Sequence, residues 1–171
     1  MAATETMVRM GELAVSSEPG HVLVSLGLGS CIGLALIDRK MGIAGLAHIV
    51  LPQSQGHAQE NPRKFADLAV PEMLSELEDL GARKLRLEAV LVGGASMFAV
   101  STAGLEVGQR NESAVRELLK KHRIPVVADA TGGSRGRTMR VDVASSAVTV
   151  REAGGKDYEL LAGSKMLEAV A

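Results

Sequence analysis

The single cysteine of this 171-residue chain, Cys31, stands in the stretch 25-SLGLGSCIGLALID-38, directly after Gly27-Leu28-Gly29-Ser30. A thiol attacks as the thiolate, and with a free pKa of about 8.5 it needs a base beside it at neutral pH. Glycines next to a nucleophile let a substrate come close to the main chain, and the N–H groups of Ser30 and Cys31 are candidates for holding a developing oxyanion. Gly27, Gly29 and Ser30 are therefore the candidate oxyanion and substrate-binding residues. The candidate base is His48, in 46-LAHIVL-51, and Ser25 offers a hydroxyl to orient the imidazole. Taken singly, each residue has a plainer reading: Cys31 as a small hydrophobe, His48 as a hydrogen-bonded core histidine, Ser25 as a strand-end serine. Together they make a candidate nucleophilic site.

The elements that must position these groups are short. Residues 21-HVLVSL-26, 32-IGLALI-37 and 43-IAGLAHIVL-51 are apolar, partly β-branched runs that read as strands, with the polar Asp38-Arg39-Lys40-Met41-Gly42 as a hairpin turn. A hairpin centred between Arg39 and Lys40 would set Cys31 opposite His48 on one face, whereas a slip of one residue would separate them. Beyond Pro52, the stretch 53–64 is polar and loop-like. A helix is predicted from an Asn61 cap with Pro62 at its first position to about Gly81, interrupted at Pro71 into a kink or two pieces; Phe65, Leu68, Ala69, Met73, Leu77 and Leu80 form its apolar face. A strand over 85–92 ends on Gly93-Gly94, and a second helix is predicted from an Asn111 cap through 112–123, its last turn basic. Strands follow at 125–130, 137–143 and 147–152, and the tail from Tyr158 has no clear pattern. The order of elements points to an α/β (α+β) fold, a single domain over 1–171 with a mixed, mainly antiparallel sheet.

Gly27-Leu28-Gly29 fails as a dinucleotide fingerprint, because the next glycine falls at Gly33 and a strand follows where a helix N-terminus is needed. Nor does composition favour other binding classes. Lys+Arg 19 balances Asp+Glu 20, and Phe65, Phe98 and Tyr158 are the only aromatics, too few for base-stacking platforms, so no nucleic-acid partner is expected. With 46% hydrophobic and 23% charged residues the chain reads as globular, and no apolar run is long enough for membrane insertion. The N-terminus lacks the apolar region of an export signal and one cysteine forms no intrachain disulfide, so a reducing, cytoplasmic location is expected. His21, His48, His57 and His122 are scattered, and no metal site is expected.

The segments 25-SLGLGSCIGLALID-38, 45-GLAHIVLP-52, 92-VGGASMF-98, 108-GQRN-111 and 131-TGGSRGR-137 resemble, in order, the CheD family of bacterial chemoreceptor glutamine deamidases. The similarity runs from about Gly11 to about Gly155, leaving 156–171 as a tail. The resemblance implies a catalytic cysteine, histidine and hydroxyl residue at Cys31, His48 and Ser25; the family usually has threonine at the last position, so Ser25 is a departure, as is Pro71. It implies that the single domain is a layered α/β sandwich like that of bacterial toxins that deamidate protein glutamines. It implies, further, attack of the Cys31 thiolate on a receptor glutamine, a thioester intermediate, and no cofactor. The implied partners are the cytoplasmic domains of methyl-accepting chemotaxis receptors and CheC, a phosphatase acting on phosphorylated CheY. The alternative is a non-catalytic chemotaxis adaptor that binds receptors or CheC. Two further stretches have readings of equal weight: Gly93 to Phe98 as a groove wall or a strand-end turn, and Ser134-Arg135-Gly136-Arg137 with Arg140 as a basic binding surface or a solvated turn.

Overall fold

A computed structural model of the chain describes residues 3–55, 61–96 and 102–164, with the side chains of 102–106 excepted. The expectations placed on His57, on Met97 and Phe98 and on the end of the tail lie outside these residues.

Among the described residues ten strands form two five-stranded sheets. The first sheet runs β1 (Thr4–Met7), β3 (His21–Leu28), β8 (Arg137–Asp142), β9 (Val148–Glu152) and β10 (Tyr158–Leu161), and the second runs β2 (Leu13–Ser16), β5 (Ile43–Ile49), β4 (Ile32–Asp38), β6 (Glu88–Gly93) and β7 (Val126–Thr131). Each sheet has one parallel pair, β1 with β3 and β6 with β7, and is otherwise antiparallel. The expected mixed, mainly antiparallel sandwich is thus built from two such sheets. Among the described residues no helix is long and apolar enough to cross a membrane.

Strand periodicity decides the layering. On β4 the side chains of Ala35 and Ile37 face the first sheet and meet Met139, Val141, Val148 and Val150, while Leu34 and Leu36 face two helices. The helices are α1 (Ala66–Asp79) and α2 (Thr102–Lys121), and Met73, Leu77, Val115 and Leu119 pack on the outer face of the second sheet. Strands β4 and β5 are buried along their whole length, which explains why they read as unbroken apolar runs.

Three expectations are corrected. The β4–β5 hairpin pairs Asp38 with Ile43 and Gly33 with His48, two positions away from the expected register, because a longer turn through Gly42 (φ +64°) joins the strands. A slip of two keeps every side chain on its face, so Cys31 and His48 still point into the space between the sheets. Asn61 caps a 3-10 turn, Pro62–Lys64, by accepting from Arg63 N at 3.2 Å, and the chain breaks at Phe65 before α1. It does not break at Pro71, which sits on the exposed side of α1, where the carbonyl it leaves unpaired can meet water. Finally, α2 begins nine residues before Asn111, which lies in mid-helix and is wholly buried.

Candidate active site

Every connection that carries a candidate residue comes to one end of the sandwich. The β3–β4 connection crosses from the first sheet to the second there and carries Gly29, Ser30 and Cys31; β5 ends there just after His48; β6 ends there at Gly93, paired with Ile32. The β1–β2 connection, residues 8–12, crosses between the sheets at the same end and lies against His48. Gly11 N donates to His48 O (2.9 Å) and His48 N donates to Glu12 O (3.0 Å).

Ser25 reaches this end through a bulge. The β3–β8 register slips between Ser25, opposite Met139, and Leu28, opposite Arg137, and Gly27 supplies the left-handed backbone (φ +61°) that the bulge needs. Ser25 is consequently buried and its Oγ donates to Val8 O at 2.9 Å. His48 Nδ1 lies 3.1 Å from the same carbonyl. A carbonyl only accepts, so Nδ1 carries the proton and Nε2 carries the lone pair. The Val8 carbonyl thus joins Ser25 of the first sheet to His48 of the second. Ser25 and His48 come together at one acceptor, and the imidazole is fixed in the tautomer a base requires.

His48 is 2% exposed, and its Nε2 is buried without a hydrogen-bond partner among the described residues, the Cys31 thiol included. Burial pushes the imidazole below its usual pKa, against the opposing pull of the Val8 carbonyl and the Glu12 carboxylate. Burial likewise pushes the Cys31 thiol up, and the residue's own backbone N–H draws it part of the way back. Both shifts favour the neutral form of the group concerned. Cys31 is buried, with 8% of its surface exposed.

The loop that carries Cys31 is braced through its carbonyls. Gly29 O accepts from Ala95 N (2.8 Å), Ser30 O from Asn111 Nδ2 (2.9 Å) and Cys31 O from Gly94 N (2.9 Å). A Cβ on Gly93 would stand 2.1 Å from Cys31 O, so the glycine pair at 93–94 is the close-packed back of this loop. Gly29 and Ser30 are brought beside Cys31 by that bracing, whereas Gly27 belongs to the bulge one step away. The 131–137 segment also supports the back: Arg137, 8% exposed, donates to Gly132 O (2.8 Å) and Gly93 O (3.4 Å). Arg140 pairs with Glu5, and only Arg135 stands well out in solvent, so these arginines do not form the basic binding surface considered from the sequence.

In front of His48 lies a groove of about 700 Å³ lined by Met7, Val8, Arg9, Met10, Glu12, Val24 and Leu26. Met10 and Leu26 are 67% and 53% exposed at its rim. Sequence reasoning missed Val8 and the structural role of Asn111. The first acts through a carbonyl, which every residue has; the second was read from the sequence as a helix cap.

Among the described residues no cluster of His, Cys, Asp and Glu is placed to hold a metal ion. The arrangement offers a candidate nucleophile in Cys31, a candidate base in His48 with its tautomer set by Val8 O, and a tethered loop.

Comparison with known proteins identifies a family. The model of the CheD family, described as CheD chemotactic sensory transduction, matches residues 50–152. The chain is 43% identical over 157 residues, 90% of its length and 96% of theirs, to proteins of Clostridium kluyveri and Clostridium botulinum (strain Alaska E43), each called a probable chemoreceptor glutamine deamidase CheD. A crystal structure of the Neisseria meningitidis protein NMB0706 aligns with TM-score 0.48 and 10% identity, covering 77% of this chain and 63% of that one.

Proposed function

The chain belongs to the CheD family, and from that membership we propose that it is a protein-glutamine deamidase acting in the cytoplasm on methyl-accepting chemotaxis receptors. The observation that supports the mechanism is that Cys31 and His48, the latter opposite Gly33, both lie on the inter-sheet side at one end of the sandwich, with Nε2 unpartnered among the described residues and Nδ1 tied to Val8 O.

A receptor glutamine enters beside Cys31, and His48 Nε2 takes the thiol proton as sulfur attacks the amide carbon. Hydrogen bonds of this kind are often long before substrate arrives and tighten in the complex. The tetrahedral oxyanion is held by N–H groups of the Ser30–Cys31 segment, whose carbonyls are already turned toward their tethers. The imidazolium returns the proton to the departing ammonia and leaves a thioester. Water, activated by the again neutral His48, attacks the thioester, releases glutamate and restores the thiol. Ser25 supports the base at one remove, through Val8 O. CheC is the second partner proposed, on the family resemblance.

The test is mass spectrometry of a purified receptor cytoplasmic fragment incubated with the wild-type protein. Conversion of specific glutamines to glutamates is expected. Binding of the fragment with no conversion would replace the deamidase with the non-catalytic adaptor.

Ser25→Ala is expected to slow conversion by about two- to tenfold, the worth of one neutral hydrogen bond. Val8 O keeps its bond from His48 in that variant, so the imidazole stays in place but is less firmly held. Initial-rate measurements check this, and a loss as large as that of the cysteine variant would make Ser25 a direct participant.

A further inference from the structure

Asparagine is a poor helix former, yet Asn111 sits in the middle of α2 with no exposed surface. Its Nδ2 donates twice, to Ser30 O and to Val50 O, each at 2.9 Å. One amide thereby ties the residue before the nucleophile to the residue two beyond the base. Gly108, one turn earlier, lets the helix come this near: a Cβ there would stand 2.6 Å from Ala95 O and 2.8 Å from Gly94 O.

The need for such a tie follows from the ladder. Pairing of β4 with β5 ends at Ile32 opposite Ile49, and the next step would pair Cys31 with Val50. Val50 N instead donates to Lys64 O (2.9 Å), so the strands part where the nucleophile begins. The Asn111 amide fills the gap. Of the three successive carbonyls of the loop, those of Gly29 and Cys31 are held by backbone N–H groups, and that of Ser30 by a side chain alone.

A trans peptide is planar, with its C=O and N–H pointing in opposite directions. Holding Ser30 O on the α2 side turns the Cys31 N–H to the other side, toward the sulfur. We infer that Asn111 is a positioning residue: its double hydrogen bond sets the Ser30–Cys31 peptide so that the Cys31 N–H faces the thiolate and the oxyanion that replaces it. The oxyanion half of this role rests on the deamidase reading above; the thiolate half does not.

Two variants test it. Asn111→Asp keeps the shape and, ionised, has no donor for either carbonyl. Asn111→Ser keeps one shorter donor. In the aspartate variant, alkylation of Cys31 by iodoacetamide is expected to slow about tenfold, with the pH midpoint of the reaction moved upward; the serine variant falls between it and the wild type. On a receptor fragment, kcat of the aspartate variant falls on the order of 100-fold while KM stays within about twofold, as for loss of an oxyanion donor. An alkylation rate equal to or faster than wild type, with an unchanged midpoint, overturns the inference and leaves Asn111 a packing residue. Should the aspartate chain fail to fold, the serine variant decides by the same criterion. A wild-type protein that converts no receptor glutamine, with the alkylation contrast intact, overturns the deamidase reading and leaves the positioning of the thiol standing.

Discussion

Cys31→Ala is expected to reduce glutamine-to-glutamate conversion by on the order of 10⁴-fold or more, to the level of receptor incubated alone. No second thiol exists in the chain to take its place. The fold should survive. Cys31 contributes a small side chain at the edge of the inter-sheet core, and its backbone, not its sulfur, makes the bond to Gly94 N. Truncation to alanine is expected to cost about 1 kcal/mol, the scale of a minor large-to-small change in a core. Mass spectrometry of the receptor fragment reads the first effect and denaturant unfolding the second. Full activity in the alanine variant would remove the thioester mechanism altogether.

His48→Gln is expected to lower kcat by on the order of 10² to 10⁴, the range for removing a general acid–base group. The wild-type pH profile carries the sharper signature. His48 must be neutral to accept the thiol proton, and burial holds its pKa below the ordinary imidazole value of about 6.5. Activity should therefore persist as pH falls to that value and decline only as pH passes through the lower pKa of the folded protein. The residual activity of the glutamine variant should lack this acid limb. Stability follows the same sign. Because the folded-state pKa is depressed, the unfolded chain binds a proton first on acidification; the contribution of neutral His48 is complete above the unfolded value and is lost as pH falls through the folded one. Initial rates and unfolding midpoints on the acid side of neutrality check both statements, and an acid limb shared by wild type and variant would assign the base elsewhere.

Much of this site was legible because its parts are strong local signals. The runs that became β3, β4 and β5 are dense in Val, Leu and Ile, and a slip of two in their pairing leaves parity, and hence the shared face of Cys31 and His48, untouched. The strands expected over 85–92, 125–130, 137–143 and 147–152 lie at Glu88–Gly93, Val126–Thr131, Arg137–Asp142 and Val148–Glu152, the first shortened by a 3-10 turn at Lys84–Arg86. The strands β1 and β2 were not legible, since TETM and LAVS are four residues long and are defined by the partners they lie beside, His21–Val24 and Ala44–Ala47. Asn111 was misplaced for a physical reason: asparagine ahead of an amphipathic run usually caps a helix, and Gly108 reads as a break. The same two residues serve tertiary contact, the glycine allowing close approach and the asparagine using it. Pro71 was over-weighted because one lost hydrogen bond on an exposed helix face costs little when Met73, Leu74 and Leu77 hold the helix to the sheet.

The pairing of β3 with β8 has a consequence for how the molecule comes into being. All of the second sheet lies within the first 131 residues, but the first sheet closes only when Val141 and its neighbours reach Leu23, across most of the chain. Contacts between such distant positions form late and slowly, after the entropy of a large loop has been overcome. During synthesis the hairpin that carries the thiol and the base emerges early, with Ala35, Ile37, Ala44 and Leu46 bare on the face that Met139, Val141, Val148 and Val150 will later cover. A nascent or truncated chain that stops before β8 therefore leaves this apolar sheet face uncovered and prone to aggregation.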